Sequence, residues 1–121
     1  LIKDKLVLLD LEIKNRNLKA SLYKKNLNKK YFLIPKVFQG SVFWRYTTIT
    51  KKDRDKLITH LRNKKIDVSS WYPPLHNIYA NQKLKNSDYI SNKIINFWVN
   101  KEHSKYKINK TLNVINSYLR K

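Results

Sequence analysis

Three histidines, eight carboxylates and a single glycine bound the chemistry open to this 121-residue chain. His60, His76 and His103 lie far apart and form no H-x-x-x-H pair, so the spacing predicts no metal site. Asp53 and Asp55 fall at an expected helix start, where carboxylates cap rather than share a proton. No serine stands in a G-x-S-x-G setting, and one glycine cannot build a phosphate-cradling loop. Without cysteine, disulfides and thiolate-zinc centres are excluded. The residues therefore predict no self-contained catalytic site. One segment stands apart, Trp71 to Tyr79 (WYPPLHNIY), in which two prolines stiffen a loop carrying aromatics and an imidazole. Such a loop offers stacking faces, a phenol donor and a ring that titrates near neutrality. The alternative is a packing loop whose aromatics fill the domain's own core.

The length allows one domain, and 41% hydrophobic with 12% aromatic residues argues for folding despite 27 Lys+Arg against 8 Asp+Glu. A net charge of +19 is the ordinary signature of a polyanion-binding surface. Here the excess is mostly lysine scattered in ones and twos among Asn and Ile, residues that share AT-rich codons. The one dense stretch, Lys19 to Lys30, suits a helix C-terminus. Nucleic acid is thus not the expected partner, and a small basic nucleic-acid-binding module is the competing function. The longest apolar runs, Leu6–Leu9 and Ile95–Val99, fall far short of the roughly 18 residues of a membrane span, and no secretory pattern opens the chain. No membrane association and a cytoplasmic setting are expected. The chain starts at Leu1 inside a running helical pattern and has no methionine, which reads as part of a longer product.

The elements that must position the loop follow from periodicity. From Leu1 to Leu27, Ile2, Leu6, Leu9 and Ile13 step by four, three and four, with Leu11, Leu18 and Leu22 as a second stripe: a long amphipathic helix. Its first turns are apolar on more than one side, which fits either core packing or a covering partner. Tyr31 to Pro35 reads as an extended connector. Ser41–Thr50 predicts a strand with Val42, Trp44, Tyr46 and Thr48 on one face and Phe43, Arg45, Thr47 and Ile49 on the other. Thr50 opens a capping-box variant with Asp53, followed by a helix burying Leu57, Ile58 and Leu61. Ile66–Trp71 predicts a second short strand ended by Pro73-Pro74. Ser87 is expected to cap a helix to about Lys93 with Tyr89, Ile90 and Ile94 inward, and Ile95–Val99 makes a third strand. Ser104 caps a last helix with Ile108, Leu112, Ile115 and Leu119 inward. Three half-apolar strands fit a two-layer α+β domain better than a sheet covered on both sides.

RDKLITHLRNKKIDVSSWYPPLHNIY, Arg54 to Tyr79, resembles the C-terminal portion of the DegT/StrS sugar aminotransferases. There an R-D helix and an L-x-x-x-x-I turn precede a Y-x-P-L-H-x-x-Y loop, here Tyr72, Pro74, Leu75, His76 and Tyr79. The first helix resembles the family's helix joining large and small domains, with Leu11 to Arg16 keeping the character of its Q-L-x-x-L-D-x-x-x-x-x-R pattern but not its letters. Residues 87–119 resemble its closing helix–strand–helix, with Asn96 to Val99 departing from the usual strand. The resemblance implies an α+β small domain of a fold-type-I transferase: a three-stranded, mainly antiparallel sheet packed with helices at residues 28–121, after a connecting helix at 1–27. It implies a parent enzyme using pyridoxal phosphate to move an amino group from an amino acid to a keto sugar nucleotide, and normally dimeric. The family's Schiff-base lysine, pyridine-partner aspartate and phosphate-cup residues have no counterpart in this chain. No catalytic and no cofactor-binding residue is therefore expected in it, and no transamination by it alone. Tyr72, His76 and Tyr79 are implied at the mouth of the active site, touching sugar nucleotide. Trp44, Arg45 and Tyr46 are implied on the bordering strand, with Arg45 able to pair with a diphosphate; the alternative makes Trp44 and Tyr46 core residues and Arg45 a solvated strand residue. The implied partners are the large domain, docked through the first helix, and a second copy.

Overall fold

The computed structural model describes residues 2–71, 73–80 and 82–120. Helices α1 (Ile2–Val7) and α2 (Leu9–Asn26) lead into strands β1 (Phe32–Leu33) and β2 (Arg45–Thr50), then helix α3 (Arg54–Asn63). Helices α4 (Leu75–Tyr79) and α5 (Lys85–Lys93), strand β3 (Ile94–Trp98) and helix α6 (Lys105–Leu119) complete the chain. The strands form one antiparallel sheet in the order β1-β2-β3, with Tyr46 opposite Phe97 and Thr48 opposite Ile95.

Alternation along β2 splits the sheet into two chemically different faces. Tyr46, Thr48 and Thr50 are buried, and on α2 Tyr23 stacks on Tyr46 at 5.5 Å and on Phe97 at 4.9 Å between ring centroids. Helix α6 packs on α2 and on α3, bringing Ile108, Leu112 and Ile115 into one cluster with Leu57 and Leu61. The opposite face carries Arg45 and Thr47 paired with Trp98 and Asn96. This is a two-layer α+β fold with a three-stranded antiparallel sheet and a long N-terminal helical segment.

Several elements differ from the sequence expectation. The third strand is Phe32–Leu33, not Ile66–Trp71, which makes one isolated bridge, Ser69 to Asn96. The backbone there is committed elsewhere: Ile66 N–H donates to Leu61 O, Lys65 takes φ 57°, and Arg62 Nη2 donates to Val68 O. Ser69 is left free to pair. The strand expected from Ser41 begins only at Arg45, because Gly40, at φ 81°, turns the chain just before it. The α3 cap is Asp53, whose carboxylate accepts from Lys56 N–H at 3.1 Å, and Thr50 is a strand residue. Helix α5 starts at Lys85 rather than behind Ser87, and Tyr89 and Ile90 face outward while Ile94 is buried. The first helix is interrupted at Leu8, and the buried residues of α2 are Ala20 and Tyr23, with Leu27 just after it. Leu6, Leu9, Leu11 and Leu18, expected on its buried stripes, are exposed. The apolar character of those turns is not consumed by this domain. The closing helix matches its expectation: Ser104 Oγ accepts from Lys107 N–H and Ile108, Leu112, Ile115 and Leu119 are buried.

Candidate functional site

The sheet face away from Tyr23, half-buried at Arg45, Thr47 and Trp98 and closed over at Asn96, adjoins the proline-containing corner to form a polar and aromatic surface. Its centre is Arg45, the first residue of β2. Its guanidinium lies 4.2 Å from the Trp44 ring centre and 4.2 Å from that of Trp98 on β3, a cation between two indole faces. Arg45 Nη1 donates to Ser69 Oγ at 2.8 Å. Trp98 stacks in turn on His103, with ring centres 6.2 Å apart. Trp44, 61% exposed, turns its outer side to solvent. Its backbone is fixed from α2, where Arg16 Nη1 donates to Trp44 O at 3.1 Å while Glu12 accepts from Arg16 Nε at 2.7 Å. Within this cluster the buried Arg45 Nε and Trp98 Nε1 have no hydrogen-bond partner among the described residues.

Asn96 joins this cluster to the corner. It is 1% exposed and spends its whole side-chain amide internally. Its Oδ1 accepts from Thr47 Oγ1 at 2.7 Å and its Nδ2 donates to Trp71 O at 2.8 Å. A buried amide with both ends satisfied is a rigid spacer. Trp71 itself is 68% exposed. Beyond it, Pro74 N-caps the one-turn helix α4, where a loop was expected. Leu75, Ile78 and Tyr79 point to solvent, and Tyr79 is 81% exposed. His76 turns the other way, buried, with Nε2 2.9 Å from Asp88 Oδ1. The corner thus presents its aromatics outward and plugs the body with its imidazole. Tyr72, the remaining expected contact, lies outside the described residues.

The sequence-derived set therefore divides. Trp44 and Arg45 stand together, Tyr79 is fully presented, and His76 is engaged by a carboxylate of α5. Arg16, Ser69, Trp98, Asn96 and Asp88 were not anticipated as part of this surface. Asn96 carried a visible signal, since a lone amide inside the apolar run IINFW must find partners when buried. Tyr46 faces the core, not this surface; burial pushes its phenol up to about 12, so it serves no proton transfer near neutrality. Burial, with Lys107 nearby, holds His103 below the usual histidine range. No group of metal-binding side chains occurs among the described residues, and none of the described helices is long and apolar enough to cross a membrane.

Residues 1–116 match the family model of the DegT/DnrJ/EryC1/StrS aminotransferase family. The chain belongs to that family. A comparison with curated proteins finds no match. Among solved structures, a DegT/DnrJ/EryC1/StrS aminotransferase from Brucella abortus is 25% identical with a TM-score of 0.82, over 95% of this chain and 33% of that one. The sugar aminotransferase CalS13 from Micromonospora echinospora is 16% identical with a TM-score of 0.79, over 93% of this chain and 32% of that one. NtdA from Bacillus subtilis, solved with the cofactor PMP, is 16% identical with a TM-score of 0.80, over 93% and 29%. This DegT-family chain spans about a third of the length of the structures it matches.

Proposed function

We propose that this chain is the small domain of a pyridoxal-phosphate-dependent aminotransferase acting on a keto sugar nucleotide in the cytoplasm, with the catalytic half supplied by a separate large domain. The observation that carries the reading is a half-buried polar and aromatic face with exposed Trp44 and an outward aromatic corner, on a domain whose family relatives are about three times longer. In this reading residues 1–27 connect the domains and 28–121 form the small domain. Arg45, steadied between two indoles, faces the diphosphate, and Trp44 offers its outer face to the base or sugar. The family motif assigns Tyr72, His76 and Tyr79 to the rim, where Tyr79 is exposed and His76 anchors the corner from inside. The exposed leucines of α1 and early α2 dock onto the large domain or a second copy, which accounts for apolar surface that this domain leaves uncovered.

The described residues of this chain do not fit the cofactor. An imine-forming lysine needs a desolvated setting that lowers its pKa, and among the described residues no lysine is buried. The chain alone is therefore expected to turn over no substrate. Incubation with pyridoxal phosphate, desalting and an absorbance spectrum test this. Cofactor absorbance is expected to be lost, and stoichiometric retention with transamination of a keto sugar nucleotide would overturn the division of labour. Equilibrium dialysis of a nucleoside-diphosphate sugar against wild type and Arg45→Ala tests the contacts, with weaker binding expected for the variant.

A second reading, a basic nucleic-acid-binding module, is favoured by one feature. An open groove of about 1030 Å³ beside β1 is lined by Lys24, Lys25, Lys29, Lys36 and Lys51, with Phe38 exposed at its rim. Lysines around an aromatic are the usual equipment for single strands. Filter binding at several salt concentrations separates the readings, because phosphate contacts impose a steep salt dependence.

A further inference from the structure

The corner at residues 73–80 is bound to the rest of the molecule in an unusual way. Beyond the bonds within the helical turn itself, its backbone hydrogen bonds Asn77 N–H to Pro74 O and Ala80 N–H to His76 O are also internal to it. A single helical turn of this length has no stability of its own, because nucleation costs more than one or two bonds return. Apart from His76, its large side chains contribute little burial: Leu75, Ile78 and Tyr79 all face solvent. Among the described residues, one side-chain hydrogen bond links it to another element, His76 Nε2 to Asp88 Oδ1.

Asp88 is itself well anchored. It sits in the first turn of α5, its N–H donating to Leu84 O and its carbonyl accepting from Ser91 Oγ. Arg54, at the start of α3, donates through Nη1 to Ser91 O and so ties α5 to the body. A cleft of about 470 Å³ separates the two sides, with Trp71, Pro73, Pro74 and Asn77 on the corner and Asp88 and Asn92 on α5. On the near side Asn96 fixes Trp71 O, so the chain has a firm point just before the prolines. The arrangement is that of a flap: a short helical corner that follows the point fixed at Trp71 O and is fastened to α5 through His76 and Asp88.

We infer that Asp88 is the positioning residue of this flap: by accepting the Nε2–H of His76 it holds the 73–80 corner shut on α5 with its aromatic side presented outward. The importance of the flap for substrate rests on the functional reading above. The fastening does not, and it is testable in this chain by itself.

The test is residue-resolved amide hydrogen exchange with NMR detection of the histidine ring protons, on wild type, Asp88→Ala, Asp88→Asn and His76→Phe. Loss of a hydrogen bond to a charged group is expected to speed exchange at Asn77 and Ala80 by about ten- to a hundredfold. Amides of β2 and β3 are expected to stay unchanged. The His76 Nε2–H resonance is expected to be visible in wild type and absent in Asp88→Ala. Asp88→Asn keeps an acceptor without the charge, and its corner exchange is expected between wild type and alanine. His76→Phe fills the same space without a donor and is expected to open the corner like Asp88→Ala. If Asp88→Ala unfolds the whole chain, Asp88→Asn decides: faster exchange confined to the corner supports the fastening. Unchanged corner exchange in the Asp88 variants, or full protection in His76→Phe, overturns it. Neither result bears on cofactor or sugar binding, so this inference and the functional reading fail separately.

Discussion

Replacing Asn96 by leucine is the sharpest probe of how the polar face of the sheet is held together. Leucine keeps the branched four-atom skeleton of asparagine but is bulkier, so the change leaves no cavity and its cost adds some overpacking to the lost polar contacts. It removes two short hydrogen bonds, 2.7 Å from Thr47 Oγ1 and 2.8 Å to Trp71 O. Each is worth about 1 kcal/mol net, and a partner left unpaired in a dry place costs about 1–3 kcal/mol more. Thr47 is half-buried and Trp71 is exposed, so both stranded groups recover part of that from water. The expected loss is about 2–4 kcal/mol, a large share of the roughly 5–15 kcal/mol that holds a domain folded. Urea titration followed by tryptophan fluorescence reads it as a midpoint lower by about 1–2 M with an unchanged slope. Thr47→Val supplies the cycle: the two changes share one bond and are expected to couple by at least about 0.5 kcal/mol. A cost below about 0.5 kcal/mol for Asn96→Leu, or strict additivity with Thr47→Val, would refute the view that this amide spaces the two halves of the surface.

Three further outcomes follow from the same structure. Leu112→Ala, at a site 3% exposed in the core cluster, is expected to destabilise by about 2–5 kcal/mol in the same titration. The Lys56 N–H bond holds the Asp53 carboxyl below its usual value, so its contribution is fully present above the unfolded pKa and is lost as pH falls through the folded one. The stability difference between wild type and Asp53→Ala is therefore expected to shrink with acidification through the carboxylate range, read from urea midpoints at stepped pH. His103 has the opposite chemistry and the same sign: burial lowers its pKa, so the unfolded chain takes up its proton first. Stability is expected to decline as pH falls below about 6.5, the unperturbed histidine value, and His103→Asn is expected to remove that part of the decline.

Local pattern was enough for the elements that depend on neighbours a few residues away. The four-three-four spacing of Ile108, Leu112, Ile115 and Leu119 specified the buried stripe of α6, and alternation from Arg45 to Thr50 specified β2. The Y-x-P-L-H-x-x-Y corner and the R-D helix marked the family, because these residue types at this spacing are rare by chance. Composition excluded disulfides and a glycine-rich phosphate loop outright. What the linear order could not contain is pairing across distance. Phe32–Leu33 pairs with β2 and Ser69 with β3, at opposite edges of the sheet, and the turn after α3 leaves the Ile66–Trp71 backbone a single bridge. Thr47 and Asn96 are 49 residues apart, and Arg45 becomes a stacked cation only when β3 lays Trp98 against it. The inward turn of His76 likewise needed Asp88 to be delivered by another helix. Helix and strand periodicity are set by backbone geometry within a turn or a pleat, whereas the partners of a buried polar group are chosen by the register of the sheet and the packing of the layers.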